Sequence, residues 1–348
     1  MRLDGRAILV TGASRGLGKA IAAACVREGA SVFLTARDGD LLEQARREIS
    51  AAAAMEAGAN AGDAVTAPAG ATGGGAATCP AGARVASATR GAAGANARDP
   101  TTSLGEAAAA ESAGAAAPAK VLAFPADISH PDQARRLVEA FRNAFPRVHG
   151  LVNNAGILGP VGKLEEAGWE RWTEAIHTNL VGPARLCALL IPMFRRNGYG
   201  KIVNISGGGA TAPRPRFSAY AASKAALVRL TETLAEETAG SGIDINAIAP
   251  GSMNTRLLDE VIETGPERVG EQAYSQAVKQ KAEGGAPFER AAALSVFLLS
   301  AESDGITGRL ISALWDAWER LPDRRETLRG TDVYTLRRII PSDRGFDW

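Results

Sequence analysis

Thr11-Gly12-Ala13-Ser14-Arg15-Gly16-Leu17-Gly18 is the stretch that decides the fold. The run Arg6–Val10 before it is short and mostly apolar, the pattern of a strand buried in a parallel sheet. After it, Ile21, Ala24, Cys25 and Val26 recur at helical spacing, one face turned to a core. Between strand and helix the three glycines have distinct uses. Gly12 permits the tight turn, Gly16 lets backbone approach a pyrophosphate, and Gly18 lets helix and strand pack closely. The helix N-terminus adds free N–H donors and a positive dipole end. A glycine triplet alone is an ordinary turn signal; flanked by this strand and this helix it points to dinucleotide binding.

The alternation continues along the chain. Strands are predicted at Ser31–Thr35, Lys120–Phe124, His149–Val152, Lys201–Ile205, Ile243–Ile248 and near Arg309–Ile311. Helices are predicted at Leu41–Ile49, Asp132–Phe145, Glu170–Arg195, Ser218–Thr238 and Arg290–Leu299. This order predicts an α/β fold, a three-layer doubly wound parallel sheet (Rossmann fold) with the ligand crevice at the strand C-termini. One interruption stands out. Residues 51–118 hold 29 Ala and 11 Gly among 68 residues and no aromatic side chain, so they can bury little apolar area against an ordering cost of roughly 1–2 kcal/mol per residue. The expectation is a disordered Ala/Gly-rich surface insertion, with Ala51–Ala57 and Glu106–Ala113 as helical fragments and Cys79 as an incidental thiol. Residues 1–50 and 119–312 then form one catalytic domain, followed by an extension at 313–348.

Composition excludes several classes. Lys+Arg 39 against Asp+Glu 38 is not the balance of a nucleic-acid binder. Cys25, Cys79 and Cys187 are too few and too scattered for a disulfide framework, and no cluster has metal-ligand spacing. No run of about 18 apolar residues is present, so no membrane span is expected. The start MRLDGRAILVTG lacks an apolar leader, and a cytoplasmic location is the expectation.

The spacing G-x-x-x-G-x-G resembles the short-chain dehydrogenase/reductase family, and four later motifs follow in that family's order. They are Asn153-Asn154-Ala155-Gly156, Asn179 in HTNLVG, Tyr220-Ala-Ala-Ser-Lys224, and Pro250-Gly251 followed by Thr255. The resemblance covers about residues 5–312 without the insertion, and it is similar to the branch of 3-oxoacyl-carrier-protein reductases and ketoreductases. It implies a hydride transfer between a nicotinamide cofactor and a carbonyl or secondary-alcohol substrate. Tyr220 and Lys224, four residues apart, share one helix face, and a neighbouring ammonium lowers a phenol's pKa. The resemblance gives Tyr220 the proton transfer, Lys224 the phenolate and the ribose hydroxyls, and Asn179 a water leading from Lys224 to solvent. It places cofactor contacts at Gly12, Ser14, Arg15, Gly16, Leu17, Gly18, Asp127, Ile128, Asn153, Ala155, Gly156, Pro250, Gly251 and Thr255.

Two positions depart from the family pattern. The catalytic Ser usually stands thirteen residues before the Tyr, where this chain has Gly207. Either the run Gly207-Gly208-Gly209 bulges and brings Ser206 into place, or the hydroxyl is lost and another group orients the substrate; Ser206 is the preferred candidate. Ser218 reads as a helix N-cap. The second strand ends in Ala36-Arg37 where an acid would mark NAD preference; with Arg15 nearby, NADP(H) is expected over NAD(H), while Asp38 leaves a surface role for Arg37 open. Asp127 reads either as an adenine contact or as a helix-leading loop Asp.

Gly207–Phe217, Met253–Gly265 and Leu158–Lys163 are expected as loops rimming the substrate pocket. Within them Arg214 and Arg216 either favour an anionic substrate or are solvated surface charges. Trp315, Trp318, Tyr334, Phe346 and Trp348 make the extension too aromatic for a disordered tail; it should pack on its own domain or on a neighbouring subunit, with capping of the pocket as one use. The partners expected are a small-molecule substrate and further copies, as a homodimer or homotetramer through the two long helices, without nucleic acid or membrane. The competing class is a cofactor-binding sensor or scaffold with little turnover, which Gly207 supports and Asn179, Tyr220 and Lys224 oppose.

Overall fold

The computed structural model describes residues 1–63 and 119–348. The chain divides into two units, Met1–Glu56 with Ala117–Trp348, and Ala57–Ala116. The disorder expected for 51–118, the fragment Glu106–Ala113 and Cys79 fall, from residue 64 on, outside the described residues.

In the larger unit seven parallel strands form one sheet. They are β1 (Ala7–Thr11), β2 (Ser31–Thr35), β3 (Val121–Ala123), β4 (Gly150–Asn153), β5 (Gly200–Ile205), β6 (Ile243–Ala249) and β7 (Leu310–Ser312), in spatial order β3-β2-β1-β4-β5-β6-β7. β1 pairs with β2 at Ala7↔Ser31 and with β4 at Ile8↔Gly150. The chain therefore winds outward from β1 to β3 and restarts at β4, leaving a crevice where strand order reverses, which is where α/β sheets bind ligands.

Alternation along β1 explains the three layers. Ile8 and Val10 face one core, shared with α1 (Gly16–Arg27) and α10 (Phe288–Leu299). Ala7 and Leu9 face the other, built on α3 (Pro131–Ala144) and α5 (Gly182–Asn197). A strand whose two faces are both covered must be apolar throughout, and all five β1 residues are buried. The second core holds Phe33, Phe141 and Phe145 with ring centroids 5.4–6.4 Å apart, so Phe141→Ala would cost about 3–5 kcal/mol. At the far end of β5, Lys201 is buried between Asp244 and Asp304, each 2.6 Å from its ammonium, which ties β5 and β6 to the turn before β7.

Two elements differ from their sequence reading. The helix expected over Glu170–Arg195 is α4 (Trp169–Ile176) and α5, joined by a π turn at His177–Val181. That turn carries Asn179, and such turns cluster at functional sites. The helix expected over Leu41–Ile49 is α2 (Gly39–Asp63), because the alanines that follow Ile49 extend it.

Candidate active site

A cleft of about 1320 Å³ opens at the C-terminal ends of β1, β2, β4, β5 and β6. Its floor is the glycine loop. Gly12 and Gly16 both sit at positive φ (+63° and +53°), and a Cβ on Gly12 would stand 2.9 Å from Ala155 Cα. A Cβ on Gly18 would overlap the Gly12 carbonyl, so Gly18 serves packing rather than the cleft wall. Arg15 precedes α1 and supplies no side-chain cap to it, so the first-turn N–H groups remain for an incoming anion. Ser14, Arg15, Gly16, Leu17, Arg37, Asp127 and Ile128 line the same side.

Asn153 is a correction. As the last residue of β4 it turns inward, donating to Asn204 Oδ1 at 2.8 Å, while Asn154 takes the cleft position and bonds the Thr11 and Gly12 carbonyls at 3.0 and 3.2 Å. Asp127 accepts from Ser129 N and Oγ at 2.9 and 2.6 Å, a turn that leads into α3, and it also lines the cleft. Arg37 pairs with Glu174 at 3.4 Å in an exposed contact, whereas the Arg15 guanidinium has no carboxylate partner among the described residues. Asp38 accepts from Leu41 N at 3.0 Å and so caps α2.

The opposite wall carries the Tyr220 group. Tyr220 and Lys224 lie one turn apart on α6 (Ser218–Glu237), both buried and both facing the cleft. Lys224 Nζ donates to the Ile205 carbonyl at 2.8 Å, and burial lowers its pKa to about 8. Burial raises the Tyr220 phenol, and the Arg214 cation opposes that rise. Sequence reading assigned this electrostatic role to Lys224; two cations flank the ring, with Arg214 Cζ 5.5 Å and Lys224 Nζ 5.7 Å from its centroid. Asn179 accepts from Ile157 N at 2.9 Å and donates to Ile157 O at 2.8 Å and Ser223 Oγ at 3.0 Å. It thereby fastens the loop after β4 to α6. A Cβ on Gly156 would stand 3.2 Å from Asn179 Oδ1 and 3.5 Å from Lys224 Nζ, so the bare backbone there lets both side chains approach.

The glycine run after β5 bends, with Ala210 N donating to Gly207 O at 3.2 Å and Gly209 at φ +97°. Ser206 lines the cleft with a buried hydroxyl that has no hydrogen-bond partner among the described residues. Gly207 is the residue that faces Tyr220: a Cβ there would overlap the phenol oxygen and stand 3.1 Å from Cζ. Ser218 is not an N-cap; it is the first residue of α6, and its hydroxyl accepts from Trp172 Nε1 at 3.2 Å.

The segment expected as a rim loop at Met253–Gly265 is largely helical. α7 (Arg256–Thr264), α8 (Pro266–Val269) and α9 (Glu271–Glu283) fold over the cleft, and Leu258, Val261, Val269 and Ala277 join Leu158, Phe217 and Tyr220 in an apolar cluster. The signal was present in Leu257, Leu258, Val261 and Ile262, at i, i+1, i+4 and i+5. Pro250, Gly251 and Thr255 line the cleft beneath this lid. Arg216, at φ +71°, donates to the Glu267 and Arg268 carbonyls at 3.0 and 3.1 Å, tying its loop to the end of α8.

The extension does not cap the pocket; among the described residues none of 313–348 lines it. Trp318, Leu321 and Leu328 pack into the α1/α10 core instead, with the Trp318 ring 5.5 Å from Phe297. Arg309 holds the Thr331 and Val333 carbonyls at 2.8 and 2.7 Å. Farther on, Leu336 N donates to Glu232 Oε1 at 2.6 Å on α6, and Trp348 is exposed.

The profile of short chain dehydrogenases matches residues 6–69, and the profile described as Enoyl-(Acyl carrier protein) reductase matches residues 82–313. The chain belongs to the short-chain dehydrogenase/reductase family. Membership implies an oxidoreductase that uses NAD(H) or NADP(H), and the bare glycine loop, uncapped helix and large cleft fit that group. This short-chain dehydrogenase/reductase is 34% identical over 194 residues to a 3-oxoacyl-(acyl-carrier-protein) reductase from Thermotoga maritima, a match spanning 56% of this chain and 76% of the relative. It is 37% identical over 199 residues to 3beta-hydroxysteroid dehydrogenase 1 from Eggerthella lenta, spanning 57% and 72%. The crystal structure of levodione reductase superposes with a TM-score of 0.65 at 25% identity, covering 89% of this chain and 96% of that one. Among the described residues no helix is long and apolar enough to cross a membrane.

Proposed function

We propose that this chain interconverts a carbonyl compound and a secondary alcohol with NADP(H), Tyr220 acting as general acid/base. The observation that carries the reading is a buried phenol on the cleft wall with two cations near its ring, Arg214 Cζ at 5.5 Å and Lys224 Nζ at 5.7 Å from the centroid. In the reductive direction Tyr220 Oη gives its proton to the substrate oxygen, and the cations stabilise the phenolate that remains. The nicotinamide, when bound, supplies or accepts the hydride. Lys224, with a pKa brought to about 8, sits where it can return a proton near neutral pH and hold ribose hydroxyls. Asn179 keeps the loop after β4 in place behind it and supports the water path from Lys224. Ser206 offers a hydroxyl, unpartnered among the described residues, that a substrate oxygen would satisfy.

Preference for NADP(H) is supported by Ala36 and Arg37 at the end of β2, by Arg15, which has no carboxylate partner among the described residues, and by Asp38 capping α2. Gly207 favours a second reading, a cofactor-binding protein with little turnover. Incubating the purified chain with NADPH and a panel of ketones separates the two. Stoichiometric NADPH loss and alcohol formation are expected; binding of NADPH without turnover of any ketone or alcohol, with either nucleotide, would reject the enzymatic reading.

A further inference from the structure

Two arginines stand on the loop between β5 and α6, and the structure separates their uses. Arg216 is consumed by the carbonyls at the end of α8. Arg214 lines the cleft, its guanidinium stacked 4.0 Å above the Phe217 ring and 5.5 Å from the Tyr220 centroid. Among the described residues no carboxylate or carbonyl accepts from it. A partly desolvated guanidinium gains more from an anionic partner than a fully hydrated one does. Adjacent glycines lie against the two groups: a Cβ on Gly207 would overlap the phenol oxygen, and one on Gly208 would stand 3.7 Å from Arg214 Nη1. Of the α7 acids, the two that line the cleft are already paired, Asp259 with Lys281 at 2.6 Å and Glu260 with Arg256 at 3.0 Å.

We propose that Arg214 is a specificity-determining residue that binds a substrate carboxylate, and that the substrate is a small oxo acid whose carbonyl lies within a few bonds of that carboxylate. The inference rests on the reading of Tyr220 as the group that meets the carbonyl oxygen. A planar guanidinium engages a carboxylate through two parallel N–H···O bonds, which fixes the substrate's orientation as well as its charge. Stacking on Phe217 holds the fork in one plane.

The test uses matched pairs that differ only in charge: pyruvate against methyl pyruvate, and acetoacetate against methyl acetoacetate. Binding is measured by calorimetry on the full chain loaded with NADP+, where no reduction can occur, and turnover is measured with NADPH. In the wild type at least one acid should bind tenfold or more tightly than its ester and show the higher kcat/KM. In Arg214→Met the acid/ester ratio should collapse to within threefold, and Arg214→Lys should keep part of it. Thermal melts of both variants check that they fold. Equal binding of acid and ester in both wild-type pairs, or a ratio that Arg214→Met leaves intact, would overturn the proposal. Reduction of the esters with no preference for either acid sinks the carboxylate site and leaves the Tyr220 reading standing. Arg214-dependent binding of acids that are never reduced does the reverse.

Discussion

Gly207 is the sharpest place to perturb this site, because two lines of reasoning predict opposite outcomes. By resemblance, Gly207→Ser restores a hydroxyl that the family carries and should speed turnover. By geometry it cannot. A Cβ at residue 207 would stand 3.1 Å from Tyr220 Cζ and 3.3 Å from Cε1, and would overlap the phenol oxygen. Carbon–carbon contacts are comfortable at about 3.5–4.0 Å, so the ring must retreat by roughly half an ångström to one ångström. It retreats into a packed cluster of Leu158, Phe217, Leu258 and Val261, where such overpacking costs about 1–3 kcal/mol. A misplacement of that size at a reacting group costs about 10²-fold in rate. Gly207→Ala and Gly207→Ser should therefore both lose roughly 10–100-fold in kcat/KM and melt a few degrees lower, with NADPH affinity retained. Steady-state turnover and a thermal melt on each variant suffice. A Gly207→Ser enzyme as active as the wild type, or faster, would refute the geometry and return the hydroxyl to this position.

Three other outcomes are expected. Arg15→Ala and Arg37→Ala should each lower kcat/KM for NADPH by roughly tenfold while leaving NADH within threefold; an equal loss with both nucleotides would remove these cations from 2′-phosphate recognition. Lys224 is held below its unfolded pKa, at about 8, so the unfolded chain binds the extra proton between about pH 8 and 10.5 and stability rises with pH across that window. Lys224→Met should lack this rise and be about 2–3 kcal/mol more stable at pH 7, though inactive; an unchanged melt-versus-pH curve would contradict it. His149, whose Nδ1 accepts from Ala7 N at 3.0 Å, is held at about 4 by burial and by Arg6 and Arg147. Its folded pKa is depressed, so stability falls as pH drops from 6.5 to 4, by about 1–2 kcal/mol after allowing for partial exposure; in His149→Gln, chemical denaturation at pH 7 and pH 5 should show that loss reduced.

Much of the fold was legible because its signals are local. β2 matches its reading at Ser31–Thr35, and the glycine loop sits between β1 and α1 as its spacing required. What failed depended on details that periodicity does not carry. The π turn around Asn179 has the same apolar spacing as an α-helix, so only the hydrogen bonds reveal it. Asn153 was misplaced because β4 runs one residue farther than its apolar run, and alternation then turns that side chain inward. The loop expected at Met253–Gly265 is mostly helix α7, whose apolar residues Leu257, Leu258, Val261 and Ile262 repeat helically. Arg214 and Arg216 are indistinguishable in sequence; they differ through the α8 carbonyls, a tertiary fact. The extension's aromatic content predicted packing, but only Trp318 among its three tryptophans is buried, against Phe297.

Proton transfer by the Tyr220 phenol is tested most directly by removing its hydroxyl. Tyr220→Phe keeps the ring in its cluster and removes only the hydroxyl, so cofactor binding can be measured in the same sample that is assayed for turnover. In Tyr220→Phe, kcat/KM for carbonyl reduction should fall by at least about 10³-fold, with the NADPH Kd within threefold of the wild type. A Tyr220→Phe enzyme that turns over within tenfold of the wild type would contradict it.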